Sequence, residues 1–304
     1  LTRGCYRLSR RKQLVAGHLY TVSGQNKSRP LNRNYVGVIV ALKGAVPTEF
    51  RILVSVKTSS RFEFPSAIIF IVCGRYRLSR RKQLVEEYFD APSDEPEWTP
   101  RYNIAPTQPV PIIRQNPAQP RRELSLMRWG LIPSWAKDMS GAALMINARS
   151  ETAATKPAFR EPLTNRRCLV PADGFYEWQK TGKVRQPYCF EVNDRELFAF
   201  AGLWDRWKDP SGQWVRTCSI LTTGPNAVTS SVHDRMPVIL DVDNYDLWLD
   251  PGMTNVEAVS GMLKPYDARQ MRSYPVSTRI NHVANDDAEC STVVELRQIQ
   301  NRLF

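Results

Sequence analysis

The sequence predicts an α+β fold: a single compact domain built on a mainly antiparallel β-sheet, barrel-like at its core, with short helices on its flanks. Three observations predict it. Short β-type runs recur through the middle of the chain, at residues 110–114, 124–129, 167–170, 187–192, 197–207 and 217–223. Turn chemistry separates them, such as Thr181-Gly182 and Asp209-Pro210-Ser211-Gly212. The strand–helix alternation of a dinucleotide-binding fold is missing, and no two glycines stand two apart, so G-x-G-x-x-G does not occur. Neither G-x-S-x-G, a P-loop nor H-E-x-x-H occurs, which removes most support for nucleotide hydrolases, serine hydrolases and zincins.

Residues 1–72 stand apart. They hold 12 Lys and Arg against two acids, whereas the rest of the chain holds 30 against 28. The net charge of +12 therefore belongs mostly to the first quarter. The segment Gly4-Cys5-Tyr6-Arg7-Leu8-Ser9-Arg10-Arg11-Lys12-Gln13-Leu14-Val15 returns 70 residues later, beginning at Gly74, with eleven of twelve positions identical. The likeness stops at Val15, short of a shared structural repeat, and no sustained period of 2 or 3.6 follows. We expect residues 1–72 to be a poorly structured partial duplication, non-native or removed from the mature protein. A valine codon read as a start at Val72 would place Cys73 second in the natural chain. Residues 73–296 then form the domain and 297–304 a tail.

Within that domain Ser79 suits the N-cap of a helix running through Leu84, Val85, Tyr88 and Phe89. Pro92, Pro96 and Pro100 make residues 90–101 a loop. Further helices are expected at 226–231, after the Gly224-Pro225 turn, at 242–249 and at 256–263. Trp135, Trp178 and Trp204 are assigned to the core.

A hydrophobic fraction of 42% with eight Trp supplies that core and excludes wholesale disorder. No apolar run approaches the roughly 18 residues that cross a bilayer. No compact apolar segment with a small-residue cleavage site lies in the first 30 positions. Six cysteines lack C-x-x-C spacing in a chain too large to need disulfides. The expectation is a soluble, cytoplasmic protein in a reducing compartment, with no membrane partner. No periodic apolar surface argues for an oligomer, so a monomer is expected.

Six segments carry the chemistry: Cys73-Gly74-Arg75-Tyr76, Tyr102-Asn103-Ile104-Ala105-Pro106-Thr107, Met127-Arg128-Trp129-Gly130-Leu131-Ile132-Pro133-Ser134-Trp135, Asn147-Ala148-Arg149-Ser150-Glu151-Thr152, Asp173-Gly174-Phe175-Tyr176-Glu177-Trp178 and His233-Asp234-Arg235-Met236-Pro237. Together and in this order they resemble the SRAP family, the SOS response-associated peptidases that act on abasic sites. The resemblance runs from Cys73 to about Cys290, and residues 1–72 match nothing in it. It implies an abasic-site sensor of the DNA damage response, bacterial and cytoplasmic, gathering at damaged DNA in the nucleoid. Such a protein engages single-stranded DNA and forms a covalent thiazolidine crosslink through an N-terminal cysteine exposed by processing, with no metal or organic cofactor. The catalytic residues it implies are Cys73, Asn147, Glu177 and His233; the DNA-binding ones are Arg75, Pro106, Trp129 and Arg149.

Elementary chemistry agrees with these roles. An α-amine titrates at about 7.7–8.0 and a Cys thiol at about 8.5, and only a terminal cysteine offers both as a five-ring-forming pair. An internal Cys73 has an amide nitrogen, which closes that route; the ordinary alternative is a buried, inert thiol. Cys168, Cys189, Cys218 and Cys290 are left with that alternative. Glu177, between Tyr176 and Trp178, would have its neutral form favoured if it faces a site, suiting a proton shuttle; the commoner fate is an outward-facing strand carboxylate. His233 can trade a proton near neutrality, or simply interact with helix-terminal carbonyls. Asn147 can hold the amine or sugar without adding charge, or serve a turn. Arg75 and Arg149 offer forked hydrogen bonds to phosphate, and Trp129 and Pro106 offer surfaces beside flanking bases.

Two other readings stay open at this level. A Cys73/His233 thiol peptidase acting on proteins would tolerate an internal cysteine and need no DNA. A non-covalent single-stranded DNA-binding module would use the basic extension and bind intact DNA equally well. Lyase activity at the abasic site is compatible with the first reading.

Overall fold

The computed structural model describes the backbone of three strands within residues 1–67 and the side chains of residues 74–116, 119–182 and 184–295. The chain divides into two units, residues 1–67 and 68–304. In the first, β1 (Arg7–Arg10), β2 (Leu19–Ser23) and β3 (Gly37–Val40) form an antiparallel sheet in that order. Regular structure is thus present in a stretch whose sequence carries no sustained periodicity.

The second unit opens with β4 (Arg75–Leu78) and helix α1 (Lys82–Phe89). The helix starts later than Ser79 predicts. The Ser79 N–H and hydroxyl both donate to Asp173 Oδ2, at 2.8 and 2.5 Å, so the residue ties the end of β4 to a bend far along the chain instead of capping the helix. Of the four apolar residues the helix runs through, Val85 and Phe89 are buried, while Leu84 and Tyr88 point outward. This is the i, i+4 stripe of a helix lying on a core. Asp90, in the left-handed conformation (φ 48°), ends it.

Next come β5 (Arg101–Ile104), β6 (Pro109–Gln115), β7 (Arg122–Trp129), β8 (Asn147–Arg149), α2 (Ser150–Ala153) and α3 (Arg160–Asn165). Then follow β9 (Arg167–Ala172), β10 (Gly174–Thr181), β11 (Val184–Val192), β12 (Phe198–Lys208) and β13 (Trp214–Thr223). All six strands expected from the sequence are present; five run longer than expected, and β12 is shifted by a single residue. Short pieces complete the unit: β14 (Met236–Pro237), β15 (Ile239–Leu240), α4 (Tyr245–Leu249), α5 (Val256–Ser260) and β16 (Met271–Pro275). The helix expected over 226–231 is a run of turns. Asn226 Oδ1 accepts from the N–H groups of Val228 and Thr229 at 3.0 Å, an alternative to a helical ladder that asparagine readily supplies.

Strands β13, β7, β6, β9 and β12 pair in that order, and β12 pairs back with β13, closing a five-stranded barrel. Only the β13–β7 joint of that ring is parallel. A second, five-stranded antiparallel sheet has the order β16-β11-β10-β4-β5. The mixed α+β class, with its barrel and antiparallel sheet, is as the sequence predicts. Strand burial follows position: β9 is buried throughout, whereas β10 begins buried and ends exposed where the β10–β11 hairpin emerges. One continuous apolar cluster joins the two sheets through Tyr76, Trp129, Phe175, Phe190 and Phe200. Phe175 and Phe190 stack with centroids 4.9 Å apart, an arrangement contributing about 0.5–1.5 kcal/mol beyond its buried area. Gly130 follows Trp129 at φ +126°, and a Cβ there would meet the Ala142 carbonyl oxygen at 2.9 Å, so this bend requires glycine.

Candidate functional site

Strand β4 lies inside the second sheet, and its antiparallel register with β10 pairs Tyr176 with Arg75. One step beyond that pair stand Glu177 and Gly74. Both line a cavity of about 560 Å³, together with Arg75, Pro106 and His233. Four of the eight predicted site residues, Arg75, Pro106, Glu177 and His233, therefore meet at one place. Cys73, the residue before Gly74, lies outside the described residues.

Glu177 departs from the common fate of a strand carboxylate. It is 2% exposed, because β10 is flanked by β4 and β11 and the cavity replaces open solvent. His233 ends the run of turns after β13, its backbone N–H donating to the Thr229 carbonyl at 2.9 Å. Its Nδ1 accepts the Arg235 N–H at 3.1 Å, which leaves Nε2 to carry the proton of the neutral ring. Burial lowers the His233 pKa from its ordinary value, and the nearby Asp234 carboxylate, 3.0 Å from Nδ1, opposes the shift. The ring is neutral near pH 7 but has a counterion waiting if it gains a proton.

Pro106 is positioned by its neighbours. The buried Asn103 amide donates to the carbonyls of Ile280, His282 and Asn285, at 3.2, 3.0 and 2.7 Å. The Thr107 N–H donates to the Trp129 carbonyl at 2.8 Å, and the Trp129 N–H to the Gln108 carbonyl at 3.0 Å. Thr107 itself takes a left-handed φ of 73°. Asn103 therefore shapes the turn that presents Pro106 to the cavity.

Trp129 is not a base-stacking surface. It is 0% exposed, its indole N–H donates to the Ile146 carbonyl at 2.9 Å, and its ring meets Tyr76 edge-on at 5.4 Å. It supports the strand that carries Arg75. Of the three tryptophans assigned to the core, Trp135 departs from it, while Trp178 packs against a smaller core cluster and lines the cavity as well. Trp135 is 65% exposed, and Trp178 is partly buried on the cavity wall, its indole N–H donating to Asn281 Oδ1 at 2.7 Å. Trp204 packs partly buried against the main core, with the Arg114 guanidinium 5.0 Å from its ring.

Asn147 and the exposed Arg149 stand on β8, paired with Ile220 and Thr222 of β13, and neither lines the cavity. A brace joins their strand to the histidine. Arg235 forks onto the Glu151 carboxylate at 3.0 and 2.9 Å and donates to the Thr222 carbonyl at 2.7 Å. Arg235 and Glu151 belong to the motifs read from the sequence, but their pairing only appears once the strands are assembled. The sequence reading also missed Trp178, Lys180, Arg185 and Asn281 on the cavity wall.

Electrostatics favour an anionic guest. Arg75 Nε is buried without a hydrogen-bond partner among the described residues, and burial lowers the pKa of its guanidinium. A buried donor in that condition gains from an incoming acceptor. The described cysteines offer no competing nucleophile: Cys168, Cys189, Cys218 and Cys290 are buried, and burial pushes the Cys189 thiol up to about 11 and the Cys218 thiol up to about 12. Among the described residues no cluster of three or more His, Cys, Asp or Glu could hold a metal, and no helix is long and apolar enough to cross a membrane.

Comparison with known proteins agrees with this architecture. The model of the SOS response associated peptidase (SRAP) family matches residues 72–283. The abasic site processing protein YoqW of Bacillus subtilis (strain 168) is 42% identical over 221 residues, covering 72% of this chain and 98% of that protein. The abasic site processing protein HMCES of Gallus gallus is 34% identical over 238 residues, covering 66% of this chain and 70% of its own length. Among solved structures, a protein from Bacteroides thetaiotaomicron superposes with a TM-score of 0.67 at 29% identity, covering 73% of this chain and 100% of that one. A Bordetella bronchiseptica protein gives 0.59 at 28% identity, covering 67% and 100%. With a family match spanning the barrel, the second sheet and every cavity residue from Gly74 to Asn281, this chain belongs to the SRAP family.

Proposed function

We propose that this protein captures abasic sites in single-stranded DNA as a covalent thiazolidine, working as a monomer in the cytoplasm of a bacterial cell. One observation carries the reading. Gly74, Arg75, Glu177 and His233 line one cavity, and Cys73 is a single peptide bond from Gly74. The names of the relatives, abasic site processing proteins, point to the same substrate.

The chemistry requires the bond between Val72 and Cys73 to be broken, by methionine removal after an internal start or by autoproteolysis. The freed α-amine adds to the aldehyde carbon of the ring-opened sugar and loses water, giving an imine. The Cys73 thiolate then adds to the imine carbon, and the nitrogen takes up a proton as the five-membered ring closes. Glu177 moves protons on and off nitrogen and oxygen in these steps, a task suited to a carboxyl walled from solvent. His233, neutral with its proton on Nε2, donates toward the opened sugar hydroxyl. Arg75 takes a phosphate oxygen, and Pro106 sits beside a flanking base. Trp178 takes the stacking role that burial denies Trp129. Asn147 and Arg149 approach the strand from β8 beyond the cavity edge. Specificity comes from the aldehyde, which undamaged DNA lacks, and from the unstacked gap that lowers the cost of presenting the sugar. Beta-elimination from the imine would account for lyase activity at the same site.

Intact-mass analysis tests the reading. The protein is measured alone, with single-stranded DNA carrying an abasic site, and with matched undamaged DNA. The expected result is a chain beginning at Cys73 whose mass rises by one oligonucleotide, less the water lost, on damaged DNA alone. A full-length chain without an adduct would overturn the thiazolidine route. Loss of proteolysis of an added protein substrate on Cys73→Ala, with no DNA adduct in either form, would favour the peptidase reading.

A further inference from the structure

We propose that Lys180 and Arg185 form a clamp for one DNA phosphodiester at the rim of the cavity, fixing the direction in which the strand leaves the lesion. The proposal rests on the DNA-capture reading and adds an interaction that the site motifs do not contain. Lys180 and Arg185 are register partners across the β10–β11 hairpin, and both line the cavity that holds Glu177 and His233. Like charges directly opposite on paired strands repel. Here two cations in register both line one cavity, and a phosphate shared between them would be attracted by both and offset their mutual repulsion.

The hairpin is held where such a clamp would be useful. Gly182, in the left-handed conformation (φ +60°), turns the chain two residues after Lys180. The Gln179 side-chain amide donates to the Ser231 carbonyl at 2.8 Å, two residues before His233, and the Tyr188 hydroxyl donates to Gln179 Oε1 at 3.3 Å. These bonds tie the cation pair to the histidine segment. Strand alternation puts Trp178 on the same face as Lys180, about 6.6 Å along the strand. A phosphate held by the cations therefore leaves its nucleotide next to the exposed edge of that ring, the arrangement by which single strands are held by alternating charge and stacking.

The test uses the full chain and a single-stranded oligonucleotide carrying a tetrahydrofuran abasic analogue, which has no aldehyde and reports equilibrium binding alone. Affinity is measured against salt for the wild type and for Lys180→Gln/Arg185→Gln. The basic residues of positions 1–72 are common to both proteins and cancel in the comparison. The expected result is an affinity at least fivefold weaker, with a log–log salt slope shallower by about 0.7, the value for one phosphate of a single strand that is no longer neutralised. Replacing single phosphates of the oligonucleotide by neutral methylphosphonates should locate one position, on one side of the lesion, where wild type binds as weakly as the variant and the variant weakens no further. Unchanged affinity and slope would overturn the clamp, and so would weaker binding with the slope unchanged, which marks a disturbed hairpin. A wild-type protein that shows the clamp's slope and position effects yet gives no adduct with true abasic DNA would support the clamp and overturn the capture chemistry.

Discussion

His233 accepts the backbone N–H of Arg235 on the nitrogen that also faces the Asp234 carboxylate, 3.0 Å away. The first interaction needs a lone pair on Nδ1 and the second is attractive only when Nδ1 carries a proton. Burial decides between them by lowering the pKa, so the neutral ring holds at pH 7. Asp234→Asn removes the group that opposes the shift, and the His233 midpoint should fall further. Titration of the imidazole by NMR checks this, with only three histidines in the chain to distinguish. A midpoint that rises in the variant would contradict the assignment. The sign for stability follows from linkage. A histidine whose folded pKa lies below its unfolded value of about 6.5 contributes stability that is present above that value and lost as pH falls through the folded one.

Glu177→Gln keeps the shape of a buried side chain and removes its ability to exchange a proton. Crosslinking to abasic single-stranded DNA should slow by about 100-fold or more, in the range general acid–base groups contribute. Binding of the non-reactive abasic analogue should stay within a few-fold of wild type. Quenched time courses and fluorescence anisotropy separate the two quantities; an unchanged crosslinking rate would remove Glu177 from the chemistry.

Much of this arrangement was legible in the sequence because strand residues show themselves through β-branched and aromatic runs broken by turn residues. All six expected strands are present, and the motifs around Arg75, Glu177 and His233 meet in one cavity. What stayed hidden depended on pairing over long distances. Ser79 reads as a helix cap until Asp173, 94 residues away, takes its hydroxyl. The parallel β13–β7 joint of the barrel leaves no local trace. Trp129 and Trp178 are both tryptophans in motif segments, and only the fold decides which one faces the cavity.

That difference predicts opposite phenotypes for the two tryptophans. Trp129→Ala empties a fully buried site and should cost about 3–5 kcal/mol of stability. Trp178→Ala should spare most of the stability and weaken binding to the abasic analogue by about 1–3 kcal/mol, the worth of one stacked base. Urea denaturation paired with anisotropy tells them apart. A Trp129→Ala protein as stable as wild type but defective in DNA binding would reverse the assignment.

The second sheet depends on a buried charge network whose removal should be costly. Arg77 donates through Nε to Asp173 Oδ1 at 2.7 Å and through Nη2 to Glu191 Oε1 at 2.8 Å, and both ends of each pair are almost wholly buried. The same Nη2 reaches the Asp173 carbonyl at 2.7 Å, and Glu191 also meets Arg272 at 2.8 Å, Tyr274 at 2.6 Å and Arg195 at 3.2 Å. This ties β4, which carries Arg75 into the cavity, to β10, β11 and β16. Burial alone would raise the Glu191 pKa; the hydrogen bonds from Tyr274, Arg77 and Arg272 outweigh it and hold the carboxyl below its ordinary value. Asp173→Ala leaves Arg77 with one carboxylate and strands its Nε, which should cost about 3–5 kcal/mol. Breaking the solvent-exposed pair of Arg269 with Asp267 should cost far less, because water screens both charges. The lowered Glu191 value adds a pH signature. Its stabilisation is present above the unfolded carboxylate range and is lost as pH falls through the folded value, so Glu191→Gln should flatten the acid limb of a stability–pH profile. Denaturant midpoints at pH 7 and below about pH 5 measure both effects. Equal midpoints for wild type and Asp173→Ala at pH 7 would show that the network does not hold β4 in place.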